Sequence, residues 1–284
     1  MLIDAKLTIS TILRTFSRPI AVTWLLTLVE TALTAFIPLL IGFAIDGLLD
    51  RDPTALLQLS IIMLVLIIVG VIRRIYDTRT YGTINVKLCQ ELASRSLNKP
   101  VSILSARLDM SRELIHFLEH EVPELVDSSV QLVISVIILY IFHPMLAYAA
   151  LIAAVVMILF YGLFHKRFYN LNAALNRQKE RQVEFLTTKK PRYIFSHFKK
   201  LRSTEVKISD TESYVYGGIF TVLLGFIVFN LWYATTTIEI STGTIFSIVS
   251  YSWEFVGSFL ILPTTLQSWS RLSEIIERIN HVDD

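Results

Sequence analysis

A chain of 284 residues with 53% apolar and only 18% charged residues, a net charge of +2 and a mean hydropathy of +0.57 has too little polar surface for a water-soluble globule. Its long apolar runs read instead as membrane spans, each of which needs about 20 mostly apolar residues. A lone cysteine, Cys89, excludes an internal disulfide.

Residues 1–18 include the amphipathic segment DAKLTISTILRTFSRP, with no small-residue cleavage site after the apolar run that follows. Six apolar runs come next, at about 20–42, 55–76, 128–142, 144–164, 215–237 and 244–262. The third is short, and the helix-compatible segment before it predicts that its helix starts ahead of the apolar part. Spans three and four meet at a bare His143-Pro144 turn, where proline suits the first helical position. The expected fold class is an all-α integral membrane protein of six long helices. It reads as one domain over 1–284: residues 1–18, spans and connections over 19–262, and a tail over 263–284.

The charges fix a topology. Of the 26 Lys and Arg residues, all but Arg51 lie in the N-terminal segment, the 2–3 connection, the 4–5 connection or the tail. The positive-inside rule then puts both termini and the two long connections in the cytoplasm, leaving short outer loops at about 46–54, 143 and 238–243. The connections carry little Gly or Pro, so spans two to five are expected to continue well into the cytoplasm as helical hairpins that turn near Pro100 and Pro191. The second connection is strongly basic. It reads as a solvated arm, a contact for anionic lipid or an acidic partner, and no nucleic-acid-binding motif accompanies it.

Two carboxylates fall deep in the spans, Glu30 in the first and Glu254 in the sixth, each at about mid-depth. A charge there costs at least ~2.5–3.5 kcal/mol, so such groups face a bundle interior or a wet cavity. They read as cation-binding or protonatable groups, or as hydrogen-bonded structural acids. Ser247, Tyr251, Glu254 and Ser258 make one polar stripe at helical spacing. Thr23, Thr27, Glu30, Thr34 and Pro38 make another. Both stripes are expected to face a cavity, with Trp24 and Trp253 as aromatic walls or as ordinary packing. HFLEH, residues 116–120, has the spacing of a zinc-protease motif but no third-ligand motif, so a solvated face is expected and no metal site. His143 reads as loop or as a sensor of outside pH.

The order of these features resembles the transmembrane domain of an ABC exporter of the six-helix half-transporter type, over essentially the whole chain. The residues that carry the likeness are an amphipathic elbow before span one, PLLIGFAIDGLL (38–49) at its outer end, two long hairpins, GTIFSIVSY (243–251) entering span six, and RLSEIIERI (271–279). The resemblance implies a homodimer that exchanges helices four and five. It implies transport, by export, of a small amphipathic or cationic molecule, and a structural place for Asp46 at the outer gate. Helices one and six would border the cavity, making Glu30, Glu254, Tyr251, Trp253, Trp24, Ser247, Thr27 and Thr34 its candidate residues. Pro100, Ser102, Lys189, Lys190, Pro191 and Arg192 would dock an ATPase. The chain departs from the family in the glycine-free SILSARLDMSRELIHFLEHEV (102–122) and the basic Lys189-Lys190-Pro191-Arg192.

No G-x-x-x-x-G-K-[ST] phosphate loop and no LSGGQ-like signature occurs in these residues. Export would therefore draw on a separate ATPase subunit, the one route by which ATP enters, or on an ion gradient. No catalytic residue is expected. The expected location is the inner (plasma) membrane. The rival reading is a scaffold, receptor or regulatory subunit that keeps the exporter fold without transporting.

Overall fold

A computed structural model describes residues 9–95, 101–180, 182–187, 189–237 and 240–281, and among them the chain is all-α. The elements are α1 (Ile9–Thr15), α2 (Ser17–Leu49), α3 (Thr54–Arg95), α4 (Val101–His116), a π-helical turn (Phe117–Glu121), α5 (Val122–Phe142), α6 (Pro144–Glu180), α7 (Gln182–Thr187), α8 (Pro191–Thr237) and α9 (Thr242–His281). Six stretches among the described residues are long and apolar enough to cross a membrane, in α2, α3, the run Ser111–Phe142, α6, α8 and α9. At 1.5 Å per residue, the 47 residues of α8 span about 70 Å, more than twice a hydrocarbon core of roughly 30 Å.

The boundaries have local causes. The turn between α2 and α3 is only residues 50–53, tighter than the predicted outer loop, because α2 continues through Gly47 to Leu49. Arg51 takes a positive φ of 61° and the Asp52 N–H reaches back to the Gly47 carbonyl at 2.7 Å. The third span does start before its apolar part, as a continuation of α4 through the π turn. Pro123 explains the widened turn: it has no N–H for the Glu119 carbonyl and its ring would crowd it. The Val122 N–H bonds instead to Phe117, five residues back, which inserts one residue and lets the helix pass the proline.

The chain divides into two units. One comprises residues up to Phe142 together with those from Ala234 onward; the other is His143–Tyr233. In the first unit α2 is central and packs on α3, α5 and α9, while α5 also packs on α9. Its buried face reads Thr23, Thr27, Thr31, Ala35, Pro38, Gly42, a stripe of small side chains that lets neighbouring backbones approach closely. Leu57, Ile61, Leu64 and Ile68 of α3 point outward, as a lipid-facing side should. Below the spans, Ile12 of α1 joins Ile84, Leu88, Leu114 and Phe117 in an apolar cluster that ties the elbow to α3 and α4.

The second unit is an antiparallel hairpin of α6 and α8 with α7 near its tip. Gln178 and Thr204 exchange side-chain hydrogen bonds at 3.2 and 3.3 Å, and Phe160 lies against Gly218, where a Cβ would come within 2.2 Å of its ring. At the other end, His143 Nδ1 accepts the Met145 N–H at 3.2 Å, capping α6, and the ring packs on Tyr233 at 5.1 Å.

Candidate functional site

The seam between α2 and α9 is built in three layers. At its outer end Asp46 Oδ1 accepts the Gly243 N–H at 2.8 Å, and Oδ2 accepts the Ser241 hydroxyl at 2.5 Å. The carboxylate thus sits at the α9 N-terminus, where unpaired amides and the helix dipole favour a negative group. Gly42 and Gly243 are in backbone contact: a Cβ on Gly243 would fall 1.9 Å from the Gly42 carbonyl oxygen.

One layer down, Ser247 donates to the carbonyls of Pro38 (3.0 Å) and Gly243 (3.1 Å), and Tyr251 donates to the Ala35 carbonyl at 2.7 Å. Pro38 interrupts the hydrogen-bond ladder of α2, and hydroxyls from the neighbouring helix supply donors around the break. Ser247 and Tyr251 are fully buried by these contacts. They were expected to face a cavity; in this structure they face α2.

The contacts at 42/243, 38/247 and 35/251 set an antiparallel register. Carried one turn further, it puts Glu254 level with Thr31 and Glu30, so the two glutamates share a depth. Their partners differ. Glu254 is half-buried and lines a cleft of about 440 Å³ between α2 and α9, with Thr34, Ile37, Ile41, Val249 and the largely exposed Trp253. The Thr31 hydroxyl, nearby on α2, donates to Asp127 of α5 at 2.8 Å.

Glu30, one turn from Thr34 on α2, forms an ion pair with Arg73 of α3. Gly70 makes room for it; a Cβ there would stand 3.3 Å from Glu30 Oε1. Arg73 also lies 3.6 Å from Asp77 and donates to the buried Thr27 hydroxyl at 3.5 Å. The structure therefore does not bring Glu30, Thr27 and Trp24 together with Glu254 and Trp253: Thr27 and Glu30 serve the α2–α3 seam, and Trp24 adjoins Tyr81 of α3.

In the sequence Arg73 enters only through the topology of the charges, and Asp77 does not stand out. A usable signal was present. Glu30 is 19 residues before Leu49 and Arg73 is 19 residues after Thr54, so a tight hairpin places them opposite one another.

Of the docking residues, Lys189 adopts φ 51° in the turn between α7 and α8, and Lys190, Pro191 and Arg192 are exposed beside it. Pro100 lies outside the described residues, and of Ser102 only the backbone, in α4, is described. His116 and His120 of HFLEH stack ring on ring at 4.4 Å, and among the described residues no third metal-ligating side chain joins them.

The family model for the ABC transporter transmembrane region matches residues 9–243. No curated protein matches the chain. The family match takes in everything from the elbow to the start of α9, including Asp46, Glu30, Arg73 and both walls of the α6–α8 hairpin. With six stretches long and apolar enough to cross a membrane, this chain belongs to the ABC transporter transmembrane family and is a multi-pass membrane protein of transporter type.

Proposed function

We propose that the chain forms a homodimer that exports a small amphipathic or cationic molecule across the inner (plasma) membrane, with both termini cytoplasmic. The observation that supports this most is the cleft between α2 and α9. It offers one carboxylate, Glu254, one indole, Trp253, and two hydroxyls, Thr34 and Ser250, against walls of Ile and Val. A cation gains from the carboxylate, and stacking on the indole adds ~0.5–2 kcal/mol; an apolar body gains from the walls. Ser247 and Tyr251 bond to α2 beside the cleft, and Thr27 and Trp24 belong to the α2–α3 seam.

Energy in this reading comes from a separate ATPase subunit that docks on the hairpin tips, at Pro100–Ser102 and Lys189–Arg192. ATP enters only there. A second reading, an ion gradient in place of ATP, draws support from the Glu30–Arg73–Asp77 ion cluster.

The test starts with capture of the tagged protein from its native membranes in mild detergent. Co-purifying chains are identified, and the preparation is reconstituted with a lipophilic cationic dye. Dye movement dependent on ATP, reduced at least tenfold by Glu254→Gln with ATP hydrolysis retained, is the expected result. Movement that follows an imposed pH gradient without ATP selects the second reading. A preparation that moves no dye under either condition, or moves it equally well in Glu254→Gln, would sink the cleft as a binding site and favour a scaffold.

A further inference from the structure

Among the described residues, the ion cluster between α2 and α3 has one guanidinium for its carboxylates. Arg73 pairs closely with Glu30 and stands 3.6 Å from Asp77. Asp77 is only 7% exposed, and its Oδ1 is buried with no hydrogen-bond partner among the described residues. The π turn packs on α3 and brings Glu119 and His120 within electrostatic reach of Asp77. The groups that face Asp77 are therefore Arg73 and Tyr81 on its own helix, Glu30 on α2, and Glu119 and His120 on the π turn.

Three ionised carboxylates around one guanidinium leave a surplus of two negative charges. At Asp77, which is closed to water, that surplus is costly, because a buried charge needs a partner and hydrogen bonds. Glu30 already holds Arg73. Glu119 is half-buried and has partial access to solvent. Asp77 has neither a full partner nor solvent.

We propose that Asp77 is a proton-binding site, loaded from the basic side of the membrane past His120. Its position suits that role. Residues 55–72 carry no charge, and their length of about 27 Å nearly fills the hydrocarbon core. Arg73 ends that uncharged run, and Asp77 lies one turn, about 6 Å, further along α3. His120 is exposed, and its Nδ1 is 3.3 Å from the His116 carbonyl. A carbonyl can only accept, so in that contact Nδ1 carries the hydrogen and Nε2 is left as an acceptor. A proton is favoured over a metal ion because no group of three or more His, Cys, Asp or Glu side chains could hold one among the described residues.

The proton changes what Arg73 does. With Asp77 neutral, Arg73 belongs to Glu30 and the α2–α3 seam is charge-balanced at that point. With Asp77 ionised, Arg73 is shared and Glu119 faces a like charge across the α3–π-turn contact. The seam thus reads the pH of the basic side, which is the cytoplasm in the reading above.

Infrared difference spectroscopy on the full chain in lipid nanodiscs, titrated from pH 5 to 8, tests this without any transport substrate. The expected result is a protonated-carboxyl carbonyl band that titrates, shifts on ¹³C-aspartate labelling, disappears in Asp77→Asn and persists in Asp127→Asn. The labelled wild-type spectrum keeps the test valid if Asp77→Asn does not fold. No such band at any pH, a band unmoved by aspartate labelling, or a band retained in Asp77→Asn would overturn the proposal. Any of those results leaves the Glu254 cleft untouched, since dye movement is scored separately.

Discussion

The two ends of α2 are held by opposite means. The outer end meets α9 through backbone: two glycines in contact and one carboxylate on a helix terminus. The inner end meets α3 through side-chain charge, with one arginine between two acids. The first arrangement depends on distance and has no room for a methyl group. The second depends on charge and tolerates shape. The same helix is thereby fixed where α9 crosses it outside and electrically adjustable where α3 crosses it inside.

The largest effect should come from the outer contact. In Gly243→Ala the new Cβ meets the Gly42 carbonyl oxygen at 1.9 Å and Asp46 Oδ2 at 2.7 Å. Backbone cannot rotate away as a side chain does, so α2 and α9 must part, and the Asp46 cap is lost with them. The cost should exceed the ~1–3 kcal/mol of ordinary overpacking; at about 3 kcal/mol the melting temperature falls by roughly 6–12 °C. Gly257→Ala is the control, because nothing stands within 4 Å of a Cβ there. Thermal unfolding in detergent followed by size exclusion compares them. Equal melting of the two variants would show that the outer seam is not the close contact described.

The inner contact should come second. Arg73→Met leaves Glu30 and Asp77 facing each other without their cation. Loss of one partner of a buried pair costs ~3–5 kcal/mol, and solvent access to the Arg73 and Glu30 side chains reduces that to about 2–3 kcal/mol. Restoring neutrality with Glu30→Gln and Asp77→Asn in the same chain should recover most of the loss, a non-additivity expected only for groups in one network. Melting of the single, double and triple variants measures it. A triple variant as unstable as the sum of its parts would mean that Arg73 acts by packing its stem rather than by charge.

Much of this was legible in the sequence, for physical reasons that differ by feature. The six spans follow from apolar runs, and the extended α3 and α8 from connections with little Gly or Pro. The place of Asp46 followed from the family likeness. Glu30 and Glu254 stood out because charge in a span is costly wherever it points. Direction is what periodicity could not supply. Thr27, Thr31 and Glu30 lie within a turn of each other on α2, and which of them meets α3, α5 or the cleft is set by how the helices pack. Ser247 and Tyr251 look like cavity residues in a stripe, but the Pro38 and Ala35 carbonyls on the neighbouring helix take their hydroxyls. The π turn was hidden for a similar reason, since it arises from Pro123 acting on a helix that otherwise reads as continuous.

The smallest effect separates the two ends by pH. Asp52, in the α2–α3 turn, accepts hydrogen bonds from the Thr54 N–H and hydroxyl, and these hold its carboxyl below the usual range although it is fully exposed. A group whose pKa is lower in the folded state contributes stability above its unfolded value of about 3.9 and loses it as pH falls through the folded value. Asp52→Asn keeps an acceptor for Thr54 and removes only the charge. The gap between wild type and variant should therefore be small, constant from about pH 5 to 8, and gone in strong acid. Melting curves across that range check it. A gap that instead changed between pH 5 and 8 would mean that the outer hairpin titrates in the physiological range, a sensitivity the ion cluster at the inner end is expected to carry and the outer turn is not.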